Sequence, residues 1–206
     1  MVETTSWTSR KEMRRAHPED DYLSHDRWVE SCHPEIQRLV LRFGSAADAY
    51  HFVRDEIGHT YDVQGRTTPG TASEVLAAGH GLCFAKAHLL AAILRAMGIP
   101  SGLAYQRLLL GETLDEGYSL HGFNTIFDPE RGSWVRLDAR GNKNGIAAEY
   151  PVSEESLAFK VRPSVGEVDY LVNFAFPPRQ IQDFYTGYAE DVDVFSRRLP
   201  ESLDPV

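Results

Sequence analysis

The sequence predicts an α+β fold, with helices in the first half of the chain and strands after residue 100. Three observations support this order. Apolar residues recur at helical spacing between residues 33 and 56. Residues 83–97 are apolar around nearly their whole circumference, which is typical of a buried central helix. Two strand-like segments then flank the sequence DPERG at residues 128–132, which is a good hairpin signal.

The composition excludes several classes of protein. The chain has 206 residues, of which 42% are hydrophobic and 25% charged, as in an ordinary globular domain. The net charge of −9 disfavours nucleic acid as a partner, because binding to phosphates depends on their neutralisation by lysine and arginine. No apolar stretch approaches the roughly 20 residues of a membrane span, and the N-terminus lacks the apolar region of a signal peptide. We therefore expect neither a membrane nor a nucleic-acid partner.

Three regions are expected along the chain: a polar leader (1–30), a core domain (31–150), and a C-terminal appendage packed on the core (151–206). The leader is polar and weakly patterned. The appendage contains an aromatic-rich run whose rings should be buried against the core. These aromatic residues are Tyr170, Phe174, Phe176, Phe184, Tyr185 and Tyr188. The acidic excess of this region predicts a solvated surface or, as an alternative, an acidic lip that favours cationic substrates.

The helical half has recognisable start and stop signals. Two helices are expected within residues 33–56, separated at Gly44 with Ser45 as N-cap, and residues 58–70 read as a loop. Thr71 and Glu74 fit a capping box that opens a short helix, which ends at the sequence GHG of residues 79–81. The buried helix then begins at about Cys83 and stops before the sequence GIP of residues 98–100.

The hairpin after residue 118 predicts a specific pairing. If the hairpin closes with Phe127 opposite Gly132, His121 lies directly opposite Asp138 on the same face of the sheet. A register that slipped by one residue would put the two side chains on opposite faces. A first strand is expected at residues 102–110, before a polar loop.

Cys83, His121 and Asp138 together have the chemistry of a thiol enzyme. A cysteine nucleophile needs a lowered thiol pKa, a base and a group that orients the base. The start of a helix favours the thiolate of Cys83, His121 is the candidate acid and base, and Asp138 is its orienter. The backbone N–H of Cys83 is a candidate oxyanion donor. Weaker candidates for the oxyanion hole and the cleft are Gln64, Tyr61, His80 and Gly81.

Residues 33–145 resemble the transglutaminase-like superfamily of papain-like thiol enzymes, and most of all its compact bacterial members. The resemblance rests on the segments HPEIQRL, YHFVRDEI, ASEVLAAGHGLCFAKAHLLAAILRAMGIP, HGFNTIF and WVRLDARG. It implies a papain-like α+β core in which the cysteine helix packs on an antiparallel β-sheet that carries the histidine and the aspartate. It also implies Cys83, His121 and Asp138 as the catalytic triad, with a peptide, a protein or a small amide as substrate.

Several alternatives stay open. Hydrolysis by a peptidase or amidase is slightly favoured over transfer of the acyl group to an amine, because compact relatives commonly hydrolyse. A catalytically silent peptide-binding module of the same fold is a further alternative. His80 and His88 flank Cys83 and suggest zinc, but His88 lies about 140° around the helix from Cys83, so no metal and no other cofactor is predicted. No segment resembles a calcium loop, and Cys32 is expected to be an incidental thiol. With only two cysteines in the chain, both are expected to be reduced and the location cytoplasmic.

Overall fold

A computed structural model describes residues 12–151, 154–186 and 199–204. Within these residues the chain forms five α-helices and seven β-strands. The helices are α1 Pro34–Leu39, α2 Ala46–His51, α3 Ala72–Ala78, α4 Cys83–Ala96 and α5 Arg179–Thr186. The strands are β1 Arg14–Arg15, β2 Gly58–His59, β3 His80–Gly81, β4 Ser101–Leu109, β5 Tyr118–Asp128, β6 Ser133–Leu137 and β7 Val168–Phe174. Residues 1–11 of the predicted leader and Tyr188 lie outside the described residues.

The predicted helix boundaries agree with the structure. The Ser45 side chain accepts the N–H of Asp48 at the start of α2, and Thr71 forms a reciprocal capping box with Glu74 at the start of α3. Helix α2 continues into one π-helical turn, Phe52–Glu56. These caps satisfy N–H groups that a helix cannot pair internally, so the local signals in the sequence suffice to place both starts.

Helix α4 is the centre of the molecule. All twelve of its residues from Phe84 to Arg95 are buried, as the apolar circumference predicts. The helix ends before Gly98, which has a φ of +77°, and the N–H of Ile99 bonds back to the carbonyl of Leu94 at 2.9 Å. Helices α1, α2 and α3 and strands β4 and β5 all pack against α4, so Cys83 begins a helix that is held on several sides.

The main sheet has five strands in the order β1-β7-β4-β5-β6. All pairs are antiparallel except β1 with β7, and α4 packs on β4 and β5. The α+β fold with a central cysteine helix on an antiparallel sheet is therefore confirmed. The short strands β2 and β3 form a separate parallel pair beside the start of α4. Within the described residues, no helix combines the length and hydrophobicity that crossing a membrane requires.

The predicted hairpin register is wrong by two residues. The pair next to the turn is Asp128–Ser133, whereas the predicted pair is Phe127–Gly132. Gly132 has a φ of +60° and therefore lies in the turn instead of the strand. The Asp128 carboxylate accepts two N–H groups of the turn at 3.0 and 3.3 Å, which fixes the turn after Asp128.

A shift of two residues keeps each side chain on its predicted face, because the side-chain period of a strand is two. His121 and Asp138 therefore still share a face, but they are diagonal neighbours instead of directly opposite. Strand β6 ends at Leu137, one residue before Asp138. The two side chains therefore lie close together, as predicted, although the predicted register is wrong.

Both terminal regions contribute to the core. In the region predicted as a leader, Tyr22, Trp28 and Val29 are buried, and the Tyr22 hydroxyl donates to the carbonyl of Asn173 at 2.7 Å. Strand β7, in the region predicted as an appendage, lies between β1 and β4 within the sheet. The three-part division of the chain stays a prediction, but its boundary at residue 150 separates strands that pair in one sheet.

Candidate active site

Cys83 is the first residue of α4 and lies against β5. The preceding residue, Leu82, has extended backbone and makes no side-chain cap, so the N–H groups at this helix end are open to other acceptors. The N–H of Gly122 donates to the Cys83 Sγ at 3.4 Å. A side chain at Gly122 would place its Cβ 2.8 Å from the Cα of Phe84. The absence of a side chain there is what allows the helix start to approach the strand.

His121 bridges Cys83 and Asp138. The His121 Nε2 lies 2.8 Å from the Asp138 Oδ2, and the imidazole lies close enough to the Cys83 thiol to lower the pKa of that thiol. Asp138 is completely buried. Its carboxylate also accepts the N–H of Arg140 at 3.1 Å and that of Ala158 at 2.9 Å. The structure thus brings the three predicted residues into one row, in which His121 and Asp138 are hydrogen-bonded.

The charges of this row favour a thiolate and an imidazolium. Burial opposes the charged form of all three groups. Despite burial, the carboxylate of Asp138 and the contact with Cys83 raise the pKa of His121 above its usual value. Burial also opposes the thiolate, yet the His121 contact and the Gly122 N–H lower the pKa of Cys83. The pKa of Asp138 is lowered against burial by His121 and two backbone N–H groups.

Residues 154–160 cover the face of the sheet that carries His121 and Asp138. The ring of Phe159 meets the His121 ring edge-on, with centroids 4.9 Å apart. Glu155 anchors this segment through two contacts of 2.5 Å with Arg136. The segment shields the His121–Asp138 pair from water, which strengthens the interaction between their charges.

Residues 39–139 match a family model, that of the transglutaminase-like superfamily. The chain belongs to this superfamily. Among solved structures it is similar to a candidate cysteine protease from Cytophaga hutchinsonii, with 20% identity and a TM-score of 0.48 over 59% of this chain and 42% of that one. It is also similar to the periplasmic domain of TgpA from Pseudomonas aeruginosa, with 16% identity and a TM-score of 0.42 over 60% and 48%. The alignments span less than half of either structure. No curated protein matches the chain.

A cavity of about 800 Å³ adjoins the cysteine of this transglutaminase-like core. Cys83 and His121 line it, together with Tyr61. Its size lies within the range of small-molecule and peptide sites. The thiol of Cys83 therefore borders an open space beside the start of α4.

Of the four weaker site candidates, only Tyr61 lines the cavity. Gln64 is exposed in a turn with a φ of +55°, so the structure does not place it as an oxyanion donor. His80 contacts the hydroxyls of Thr60 and Thr67 at 3.1 and 3.4 Å, away from the cavity. Gly81 is a buried residue of β3 whose Cβ would meet Val75 and Ala85 at 3.3 Å. Its lack of a side chain thus allows close packing against Val75 and Ala85.

The histidines near Cys83 do not form a metal site. His80 bonds to threonine hydroxyls, and the Nδ1 of buried His88 lies 2.8 Å from the carbonyl oxygen of Gly70. Over the described ranges, no three His, Cys, Asp or Glu side chains are grouped so that they could hold a metal ion.

His59 is a cavity residue that no sequence pattern predicted. It is 8% exposed and lines the cavity with Cys83. Burial, and then the charge of Arg140, lower the pKa of His59 to about 3, so its imidazole is neutral near pH 7. No local signal distinguishes His59, because it reaches the site only through the pairing of β2 with β3.

Lys86 is a second missed residue, one turn along α4 from Cys83. It is completely buried. Its Nζ donates to the carbonyl oxygens of Arg140 at 2.9 Å, of Arg54 at 3.4 Å and of Ile57. Three acceptors match the three donors of an ammonium group. Because Arg140 also donates its N–H to Asp138, Lys86 helps to hold the segment that carries the aspartate.

Replacing Lys86 by methionine is expected to lower the free energy of unfolding by about 2–4 kcal/mol at pH 7, because buried carbonyl groups lose their donor. Burial, and then the charge of Arg140, lower the pKa of Lys86 from 10.5 to about 7. Between these values the unfolded chain binds more protons at this residue than the folded chain, so stability rises with pH there. The advantage of the native lysine over methionine should therefore grow from pH 7 to pH 9.5. Urea unfolding at both pH values measures it.

Lys160→Met is the matched control, because Lys160 is exposed and its loss should change the free energy of unfolding by less than about 0.5 kcal/mol. If Lys86→Met is as stable as the native chain at both pH values, the three carbonyl contacts do not hold this part of the core.

Proposed function

We propose that the chain is a thiol-dependent hydrolase of amide or peptide bonds, that is, a cysteine peptidase or amidase. The observation that carries this proposal is the position of His121 between the Cys83 thiol and the Asp138 carboxylate, with 2.8 Å between Nε2 and Oδ2. Membership of the transglutaminase-like superfamily supports it. Cys83 is the nucleophile, His121 the acid and base, and Asp138 the group that orients His121.

In the proposed reaction the Cys83 thiolate attacks the amide carbonyl carbon and forms a tetrahedral oxyanion. The His121 imidazolium then gives its proton to the leaving nitrogen, the C–N bond breaks, and a thioester remains on Cys83. Water attacks the thioester as His121 takes one of its protons. The thiolate leaves, and the acyl group departs as a carboxylic acid.

The oxyanion donors in this scheme are the backbone N–H of Cys83 and the hydroxyl of Tyr61. The N–H lies at an uncapped helix start, where it is directed at developing negative charge. Tyr61 lines the cavity with Cys83. Burial, followed by the charge of Cys83, raises the pKa of Tyr61, so its hydroxyl keeps its proton and can donate a hydrogen bond.

Transfer of the acyl group to an amine is the second candidate, and the charge of the cavity counts against it. An amine substrate approaches as an ammonium ion near pH 7. Arg140, Lys143, Lys160 and Arg162 all line the cavity and would repel it. Water meets no such barrier, so hydrolysis is the favoured outcome. The third candidate is a silent peptide-binding module, since the superfamily includes inactive members.

The proposed substrate is a peptide, a protein or a small amide, and the proposed compartment is the cytoplasm. Both cysteines are free, and Cys32 is exposed, which suits a reducing compartment. Neither a nucleic-acid nor a membrane partner belongs to this proposal, in keeping with the net charge of −9.

Alkylation of the folded protein by iodoacetamide between pH 5 and pH 9 tests the proposed thiolate–imidazolium pair. Because the pKa of Cys83 is lowered and that of His121 is raised, Cys83 should react at least about tenfold faster than Cys32 at pH 6. Peptide mass spectrometry measures the two thiols separately, with exposed Cys32 as the internal reference. His121→Ala should remove the advantage of Cys83. Equal rates for both thiols over the whole pH range would contradict the proposal and favour the silent module.

A further inference from the structure

The cavity beside Cys83 has a basic wall in an acidic protein. The chain carries a net charge of −9. Nevertheless, among the described residues that line the cavity, four are lysine or arginine and one is aspartate or glutamate. The cations are Arg140, Lys143, Lys160 and Arg162, and the acid is Glu167. A low-dielectric cleft lined by one sign of charge concentrates ions of the opposite sign.

Internal ion pairs neutralise only part of this wall. Arg162 pairs with Glu167 at 2.6 Å. Asp62 pairs with Arg140 and with Lys143, each at 2.6 Å, so one carboxylate serves two cations. Lys160 is exposed on the cavity wall and forms no ion pair within the described part of the chain. A net positive charge therefore faces the space next to the thiol.

The cavity also has an apolar part of its lining. This part is formed by the end of β4, the start of β5 and the side chain of Phe159, with Leu109 and Leu120 as its strand residues. Leu110, next to this strand end, is 54% exposed. Apolar groups and a few placed charges are the usual composition of a binding cavity, in which the charges select the ligand. This lining suits a ligand that carries both an anionic group and an apolar group.

We propose that this cavity binds substrates that carry a carboxylate near the scissile amide, together with an apolar group. The inference rests on the proposed function for the position of the reacting bond, and names the substrate class of that site. The carboxylate belongs to an acidic side chain or to a free chain end, since the same cations recognise both. Lys160, with Arg140 and Lys143, is the specificity determinant.

Two alkylating reagents of nearly equal shape test the charge of the cavity. Iodoacetate carries a carboxylate where iodoacetamide carries an amide. The ratio of their rates at Cys83 is expected to exceed the ratio at Cys32 by about fivefold or more at low salt. Lys160→Glu should reduce the ratio at Cys83 by about three- to tenfold, and 0.5 M salt should weaken the effect. A ratio at Cys83 no higher than that at Cys32, or one unaffected by Lys160→Glu, would overturn the inference.

Arg66→Glu is the matched control, because it makes the same change of charge at an exposed residue that does not line the cavity. It should change the ratio at Cys83 by less than about twofold. An equal loss in Arg66→Glu and Lys160→Glu would show that the net charge of the protein, not the cavity, sets the ratio, and would overturn the inference.

Peptide binding separates this inference from the proposed function. Hexapeptide pools with a central glutamate or glutamine, each with a free or an amidated C-terminus, are bound to Cys83→Ala protein. The same pools are then offered to the native enzyme for cleavage. Preferred binding of a carboxylate-bearing pool without cleavage supports the inference and contradicts the hydrolase. Cleavage without preference for a carboxylate supports the hydrolase and contradicts the inference. If no carboxylate-bearing pool is preferred in binding, the inference fails. If one is preferred, the position of its carboxylate shows whether the cavity selects an acidic side chain or a free chain end.

Discussion

Replacing Asp138 by asparagine is expected to lower the rate of amide cleavage by about 10³- to 10⁴-fold, the largest functional loss among single changes outside Cys83 and His121. The carboxylate accepts hydrogen bonds from the His121 ring and from the backbone N–H groups of Arg140 and Ala158. An asparagine keeps one acceptor, but its NH₂ group would face an N–H donor in either orientation. His121 then loses its orienting charge, and its pKa falls. Two rates are measured: that of amide cleavage and that of Cys83 alkylation at pH 6. The alkylation rate should fall about tenfold or more.

A loss of folding could imitate this result, so the thermal unfolding of Asp138→Asn is compared with that of the native chain. The matched control is Asp183→Asn on α5, where the aspartate is exposed and pairs with Arg179. It should change neither rate. A folded Asp138→Asn protein with native cleavage and native alkylation would show that Asp138 does not orient His121.

Replacing Gly122 by alanine is expected to have the second large effect, on both stability and the site. The added Cβ would lie 2.8 Å from the Cα and the Cβ of Phe84, a distance that real Cβ contacts essentially never show. Relief requires the start of α4 to move away from β5. We expect a loss of about 1–3 kcal/mol in the free energy of unfolding, measured by urea denaturation. Alkylation of Cys83 at pH 6 should slow as well, because the same movement separates Cys83 from the Gly122 N–H and from His121.

Gly44→Ala provides the control for this overpacking. The new Cβ at Gly44 would meet one carboxylate oxygen of Asp48 at 3.5 Å, an ordinary contact distance. Its stability should stay within about 0.5 kcal/mol of the native value. If Gly122→Ala is equally well tolerated and keeps the reactivity of Cys83, the close approach of helix and strand is not required for the site.

The hairpin shows how far local sequence signals extend. The alternation of side chains correctly predicted that His121 and Asp138 share a face, because this period is a property of any strand. The register depended on whether Gly132 belongs to the strand or to the turn. The observed φ of +60° and the Asp128 contacts decide this. The predicted and observed registers leave a turn of equal length and differ by an even number of residues, so the alternation alone cannot distinguish them.

Contacts between segments that are distant in the chain could not be predicted from local sequence patterns. Strand β7 pairs with β4 across about sixty residues of chain, and its sequence carries two exposed apolar side chains, Val168 and Leu171. The alternation that would mark it as an inner strand is therefore weak. For the same reason the sequence patterns did not indicate that the leader and the appendage each contribute a strand to the main sheet.

The sequence by itself determined the elements whose causes are local. The capping box at Thr71, the stop at Gly98 and the apolar circumference of α4 depend on residues within a few positions of each other. They place Cys83 at a helix start. Only the tertiary structure decided which groups surround that thiol. Lys86 binds backbone carbonyls that are distant in the chain, His59 reaches the site through the pairing of β2 with β3, and the cations of the basic wall lie in loops after residue 137. Such long-range contacts leave no periodic pattern along the sequence.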